Sequence, residues 1–191
     1  VRLDPSGRLT ARMAMTDIGT GSYTVFTQVA ADLLGLPMGR VTILLGDSDF
    51  PETPGSGGSF GAASAGSGLY DACMQLRSKL CQSAGIDPAH ARFEDGHVTD
   101  GRKRVSYVAL AGENGVEANG AIEPGSNNTN YNQNSYGAFF AEVGVDMDTG
   151  EIRLRRMLGV FAAGRILNAK TARSQALGGM IFGVGSALSE E

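Results

Sequence analysis

The feature that constrains this chain most is a change of hydrophobic period at its first glycine-rich turn. Residues 8–16 alternate, with Leu9, Ala11, Met13 and Met15 on one side, as a half-buried strand does. The alternation breaks at Asp17-Ile18-Gly19-Thr20-Gly21-Ser22. From Tyr23 the spacing is helical: Val25, Phe26, Val29, Ala30, Leu33 and Leu34 share one stripe, until Gly35 and Pro37 stop it. A short apolar strand follows at 41–45. Strand, glycine turn, helix and strand in that order predict a right-handed crossover carrying both strands into one sheet.

The pattern then begins again. Gly46-Asp47-Ser48-Asp49-Phe50-Pro51 leads into Thr53-Pro54-Gly55-Ser56-Gly57-Gly58-Ser59-Phe60-Gly61, and Ala62 opens a second helix that runs through Leu69, Cys73, Leu76 and Leu80 to Gly85. The first two turns of that helix are almost entirely Ala, Gly and Ser, so another group can come close to its N-terminal end. Further on, Asp95-Gly96 and Asp100-Gly101 mark turns around a short strand at His97 and Val98. Ser106 caps a brief helix at 107–111, and a strand lies near Val116. The asparagine-rich segment 127–134 reads as an extended loop. Residues 135–145 and 151–161 read as strands joined by a hairpin turn at 146–150, with Arg153, Arg155 and Arg156 on its solvated face. A last helix begins near Thr171 and carries Gly178, Gly179, Gly183 and Gly185; Met180, Ile181 and Val184 make it read as buried nearly all round.

Composition narrows the class. Glycine supplies 28 of 191 residues, about 15% against an ordinary 7%. There is no three-residue glycine period, Pro numbers 6 and hydrophobic residues reach 42%, so neither collagen nor disorder fits. A net charge of −4 argues against a nucleic-acid partner. No signal peptide is visible, and no apolar run approaches the roughly 20 residues of a membrane span. Cys73 and Cys81 on one helix would stand roughly 12 Å apart along its axis, too far for a disulfide. They read as small apolar helix residues. The chain starts at Val1 and ends at Glu191 in an apolar stretch with no stop signal, which reads as a piece of a longer protein, with lobes at about 1–110 and 111–191.

A helix N-terminus has unpaired N–H groups and partial positive charge, and glycine lets an anion reach them. One such turn is also an ordinary cap. Two, with a third glycine-lined helix, point to a phosphate-bearing cofactor. Thr24 occupies the third glycine position of a dinucleotide fingerprint, and no P-loop motif occurs, so NAD and ATP do not fit. Catalytic side chains are scarce: His90 and His97 sit in polar, turn-like sequence, and Asp47, Asp49 and Glu52 lie in a proline-flanked loop. On the residues alone, three classes remain: part of a cofactor enzyme, a non-catalytic phosphate- or nucleotide-binding module, or an interaction domain whose glycines permit tight packing.

Several motifs taken together carry a resemblance. Asp17-Ile18-Gly19-Thr20-Gly21-Ser22-Tyr23-Thr24 is followed by Gln28-Val29-Ala30 and Leu34-Gly35-Leu36-Pro37; Ser56-Gly57-Gly58-Ser59 is followed by Gly66 and Tyr70-Asp71-Ala72-Cys73. Phe140-Ala141-Glu142-Val143, Gly164-Arg165-Ile166-Leu167-Asn168, Thr171-Ala172-Arg173-Ser174-Gln175, Gly178-Gly179 and Gly183-Val184-Gly185-Ser186-Ala187-Leu188 continue it. Across all 191 residues the chain resembles the molybdopterin-binding large subunit of the xanthine dehydrogenase/aldehyde oxidase family, nearest to the bacterial periplasmic aldehyde oxidoreductases, over part of its C-terminal half.

The resemblance implies an α+β fold, with mixed sheets and crossover helices, belonging to the second molybdenum-cofactor-binding domain of a molybdenum hydroxylase. It implies a molybdenum–molybdopterin cofactor in its cytosine dinucleotide form, held by Gly19, Thr20, Gly21 and Ser22, by Ser56, Gly57, Gly58 and Ser59, and by Gly179 and Phe182. Thr20 and Phe182 stand where many relatives have Gln. The family's catalytic Glu falls beyond this chain, so no residue here, Glu190 and Glu191 included, is assigned as the base or as a metal ligand. The implied enzyme hydroxylates an aldehyde or N-heterocycle with water-derived oxygen and passes electrons to [2Fe-2S] and FAD subunits, in a bacterial periplasm or cytoplasm. The 191 residues alone are expected to be inactive.

Overall fold

The computed structural model describes residues 1–123, 125–132 and 134–190. The readings made above for Gln133 and Glu191 lie outside the described residues. The chain divides into two compact units, Val1–Glu123 and Pro124–Glu191.

The first unit runs β1 (Arg2–Leu3), β2 (Leu9–Met13), helix α1 (Ser22–Leu34), a 3-10 turn (Met38–Arg40), β3 (Val41–Leu45) and helix α2 (Gly61–Ala84). It continues through β4 (Arg92–Glu94), β5 (His97–Thr99), β6 (Arg104–Ser106), helix α3 (Tyr107–Ala111) and β7 (Val116–Glu117). The main sheet has the order β3-β2-β1-β7. β2 and β3 are parallel, with Leu9 opposite Val41 and Met13 opposite Leu45, and α1 connects them. β1 is antiparallel to both β2 and β7. The remaining three strands form an antiparallel meander, β4-β5-β6. Mixed sheets with a helical crossover make this an α+β fold, as the resemblance implied.

The division between units falls later than residue 110 because β7 belongs to the first sheet. Its Glu117 pairs with Arg2 and its Val116 with Leu3.

The core of this unit lies where the apolar stripes of α1 and α2 meet the sheet. Phe26, Leu34, Leu69, Cys73, Leu76 and Leu80 are buried together with Leu3, Leu9, Ala11 and Ile43. The cysteines are buried and unbonded, as the helical spacing required. Gly35 ends α1 in a left-handed conformation, φ 55°. A Cβ there would fall 2.0 Å from the Phe93 carbonyl oxygen, so both backbone shape and space demand glycine. The Arg77 guanidinium lies 4.0 Å from the Phe93 ring centroid and ties α2 to β4 on the same side. Ser106 caps α3 through the Ala109 N–H, at 3.2 Å.

The second unit comprises α4 (Asn127–Asn130), β8 (Tyr136–Val145), β9 (Ile152–Ala162) and α5 (Ala169–Leu188). The asparagine-rich segment is not wholly extended. The Ser126 carbonyl accepts the N–H groups of Thr129 and Asn130, both at 3.1 Å, and closes a single helical turn. β8 and β9 form the expected hairpin, with a bulge at Glu142/Val143 and salt bridges Arg153–Glu151 and Arg156–Glu142 on its exposed arginine side. Asn168 caps α5 by accepting the Thr171 N–H at 3.0 Å.

One expectation fails for α5. It has no buried residue, and Ile181 is 70% exposed. Apolarity all round a helix records what its side chains favour, and it does not supply a neighbour to cover them.

Candidate functional site

The two glycine-rich turns leave the C-terminal ends of neighbouring parallel strands. Residues 14–21 follow β2 and precede α1, and residues 46–60 follow β3 and precede α2. Ligands in sheets of this kind gather beyond the carboxyl ends of parallel strands, where successive helix N-termini open side by side.

Backbone and side-chain bonds hold the two turns together. Gly46 donates its N–H to the Met13 carbonyl at 3.3 Å, Ala14 donates to the Pro51 carbonyl at 2.9 Å, and the Ser56 hydroxyl donates to the Thr16 carbonyl. The start of α2 is close to the first segment as well, since a Cβ on Gly61 would meet the Met15 methyl at 2.3 Å. Eight of the ten residues singled out from the sequence therefore lie together in the first unit: Gly19, Thr20 and Gly21 on the first loop with Ser22 opening α1, and Ser56, Gly57, Gly58 and Ser59 on the second.

The loops differ in how they treat their own amides. In the first, Oδ1 of Asp17 accepts the N–H groups of Gly19 at 2.8 Å and Thr20 at 3.1 Å. Oδ2 accepts that of Tyr23 at 3.4 Å. Gly21 precedes the helix with φ 81°, and the hydroxyls of Thr20 and Ser22 stand 3.0 Å apart. Ser22 is only 5% exposed, whereas Thr20 is half-buried.

In the second loop, Phe60 donates its N–H to the Gly57 carbonyl at 3.2 Å, and as the N-cap residue of α2 it has no side-chain acceptor to offer the helix. Gly58 and Ser59 both have left-handed backbones, φ 49° and 57°. A Cβ on Gly57 or Gly58 would touch only the Phe60 ring, at 3.7 and 3.6 Å, and one on Gly19 would meet nothing within 4 Å. The backbone at these positions is open to an incoming group. The loop also contains the hydroxyl of Thr53, which is buried with no hydrogen-bond partner and is the sole such side-chain atom among the described residues. Its polar groups are thus not all satisfied by the chain itself. Hydroxyls, open glycine backbone and an unpaired buried hydroxyl fit a large polar group with phosphate and ring-nitrogen acceptors.

Gly179 and Phe182 belong to α5 in the second unit. A Cβ on Gly179 would meet open space, and Phe182 is 72% exposed.

The remaining titratable groups are not assembled for chemistry. His90 is exposed, 4.0 Å from Asp87, and Nδ1 of His97 lies 2.9 Å from the Asp95 carbonyl. Asp47 accepts the Asp49 N–H at 2.9 Å in an exposed loop. Among the described residues, no group of three or more His, Cys, Asp or Glu is arranged to hold a metal ion.

Sequence reasoning quoted Asp17 as part of a motif and assigned it no role. A signal for it was present, because an Asp two residues before a Gly readily accepts that residue's N–H in an Asx turn.

A family profile described as the molybdopterin cofactor-binding domain matches residues 1–191. The chain belongs to that family. It is 49% identical over 192 residues to the aldehyde oxidoreductase molybdenum-binding subunit PaoC of Escherichia coli O157:H7, covering 100% of this chain and 26% of the relative. It is 32% identical over 199 residues to the probable hypoxanthine oxidase XdhD of Escherichia coli K12, covering 100% of this chain and 21% of the relative. The fold is similar to that of quinoline 2-oxidoreductase from Pseudomonas putida 86, with a TM-score of 0.78 at 25% identity, covering 94% of this chain and 25% of that one. This chain therefore spans about a quarter of the length of the relatives it matches. The Escherichia coli O157:H7 relative is by name a molybdenum-binding subunit, and family membership makes residues 1–191 a molybdopterin cofactor-binding domain.

Proposed function

We propose that residues 14–21 and 46–60 form one wall of a molybdenum–molybdopterin site in the large subunit of a molybdenum hydroxylase that oxidises aldehydes. The observation that carries this is the pair of linked glycine-rich loops at the ends of β2 and β3, bound to each other through Ser56 and Thr16. Identity of 49% to an aldehyde oxidoreductase subunit supports an aldehyde in preference to an N-heterocycle.

Gly57 and Gly58 would offer open backbone to the cofactor, and Thr20, Ser22, Ser56 and Ser59 would offer hydroxyls. When bound, the cofactor supplies two-electron oxidation of the substrate with oxygen taken from water. The chain's own residues bind and orient; the titratable groups of these loops are placed for structure, so the general base belongs elsewhere in the subunit. Gly179 and Phe182 are assigned to the cofactor by resemblance alone. The cytosine dinucleotide form, and electron transfer to [2Fe-2S] and FAD subunits, are part of the same proposal.

The test is made on the full-length subunit purified with its partners. Metal analysis, pterin fluorescence after denaturation and identification of the released nucleotide should find molybdenum, pterin and cytidine monophosphate. Aldehyde oxidation with an artificial electron acceptor should accompany them. A fully folded complex with neither molybdenum nor pterin would defeat the proposal.

A further inference from the structure

We propose that Asp17 is the positioning residue of the first glycine-rich turn. Its carboxylate gathers the amides of the turn that leads into α1, and the turn meets the cofactor through the Thr20 hydroxyl. The inference rests on the cofactor reading above and adds to it the way in which this turn makes contact.

A helix N-terminus attracts an anion through its exposed amides and partial positive charge. Here a tethered carboxylate already holds the amides leading into that end, and one of the helix's own. The Asp17 carboxylate accepts three N–H groups, two at 2.8 and 3.1 Å and a third at 3.4 Å. A phosphate competing for the amides of Gly19, Thr20 and Tyr23 would have to displace a tethered carboxylate and would then lie beside its charge. Phosphate recognition by this turn is therefore disfavoured, despite its glycines.

What the turn does offer is a fixed hydroxyl. Thr20 has its N–H held by Asp17 and its Oγ1 3.0 Å from the hydroxyl of buried Ser22. Both backbone and side chain of Thr20 are thus oriented before any ligand arrives, and its half-buried position keeps it within reach of one. Gly19 and Gly21, at φ 97° and 81°, let the chain wrap around the carboxylate. Their role is to shape the loop around Asp17.

The experiment compares wild type with Asp17→Ala and Asp17→Asn in the full-length subunit with its partners. Two readouts are taken: amide hydrogen exchange in the peptide containing Gly19, Thr20 and Tyr23, and molybdenum content with the electron paramagnetic resonance spectrum of the reduced enzyme. Asp17→Ala should speed exchange of that peptide at least tenfold, lower molybdenum content severalfold and alter the spectrum of the remainder. Asp17→Asn keeps one acceptor oxygen for Gly19 and Thr20 but turns a donor towards Tyr23, so it should restore much of the content and give an intermediate exchange rate. If Asp17→Ala does not fold, Asp17→Asn decides by the same readouts. Unchanged exchange would overturn the positioning role. Faster exchange with full molybdenum and an unaltered spectrum would overturn its link to the cofactor. A wild-type complex free of molybdenum would remove both readings together, whereas a loaded wild type with unaffected variants removes this one alone.

Discussion

The two glycine-rich turns have similar compositions and occupy equivalent places, each between a parallel strand and the following helix, yet their backbone groups are satisfied differently. The first has its amides drawn onto Asp17 and presents a hydroxyl. The second has Phe60, without a side-chain acceptor, at its N-cap, an open backbone at Gly57 and Gly58, and a buried hydroxyl, Thr53, left unpaired. Glycine content reports how freely a backbone can bend and be approached. Whether its N–H groups remain available depends on which acceptor the fold brings to them.

That contrast can be broken most sharply at Gly57. Its φ lies outside the left-handed region and its Cβ site is open, so Gly57→Val should leave the melting temperature nearly unchanged. If the open backbone is a cofactor wall, molybdenum content of the full-length subunit should fall about tenfold, equivalent to ~1.4 kcal/mol of binding. Full occupancy would show that the second loop is no more a contact surface than the first. Gly58→Val makes the necessary control, because φ 49° strains any branched side chain there whatever the cofactor does. It should lower both molybdenum content and melting temperature.

Phe182 extends the comparison to the second unit. A core Phe truncated to Ala typically costs about 3–5 kcal/mol. Phe182, at 72% exposed, has no such packing among the described residues. If Phe182 faces the cofactor, Phe182→Ala in the full-length subunit should change the melting temperature by little and reduce molybdenum content severalfold. A large drop in melting temperature with full cofactor retention would show a core residue and refute the wall role. Leu76→Ala, at a fully buried position of α2, supplies the benchmark for a true core loss.

A smaller effect is expected at the hydroxyl itself. Thr20→Val keeps the shape and the amide bond to Asp17 but removes Oγ1 from the Thr20–Ser22 pair. Molybdenum content should fall by two- to threefold with hydrogen exchange of the turn unchanged, whereas Thr20→Ser should behave as wild type. Equal content in both variants would mean that the turn contributes its shape alone.

The smallest effect concerns pH and the core behind the loops. Loss of solvation pushes the buried Cys73 thiol up to about 12 from an ordinary 9.0, and burial raises Tyr107 in the same direction. Groups held protonated in the fold and free to ionise when unfolded stabilise the fold fully below their ordinary values; that contribution is lost as pH rises towards the folded ones. Denaturant midpoints should decline from pH 9 upwards. Cys73→Val should flatten part of the decline, and an unchanged slope would show that Cys73 does not contribute to it.

Much of the fold was legible because local physics specifies it. Alternation placed β2, a short apolar run placed β3, two strand runs around a turn placed the β8–β9 hairpin, helical spacing placed α1 and α2, and Gly35, Ser106 and Gly150 marked boundaries through turn and cap chemistry. β1 was not visible, since two residues carry no period, and it exists because β2 and β7 flank it. The helical turn at Asn127–Asn130 was missed because asparagine competes for backbone bonds in several geometries, and its sequence does not say which one wins.

The sequence by itself determined the family, the α+β class and the place of the two glycine-rich loops, because hydrophobic period, glycine placement and motif order are local properties. Tertiary structure alone decided that Ser56 bonds back to Thr16 across 40 positions, that Asp17 occupies the amides of the first turn, and that α5 has no buried residue. Each of these depends on which groups meet in space. A hydrogen-bond donor or an apolar side chain specifies what kind of partner it needs, but the fold determines whether that partner is present.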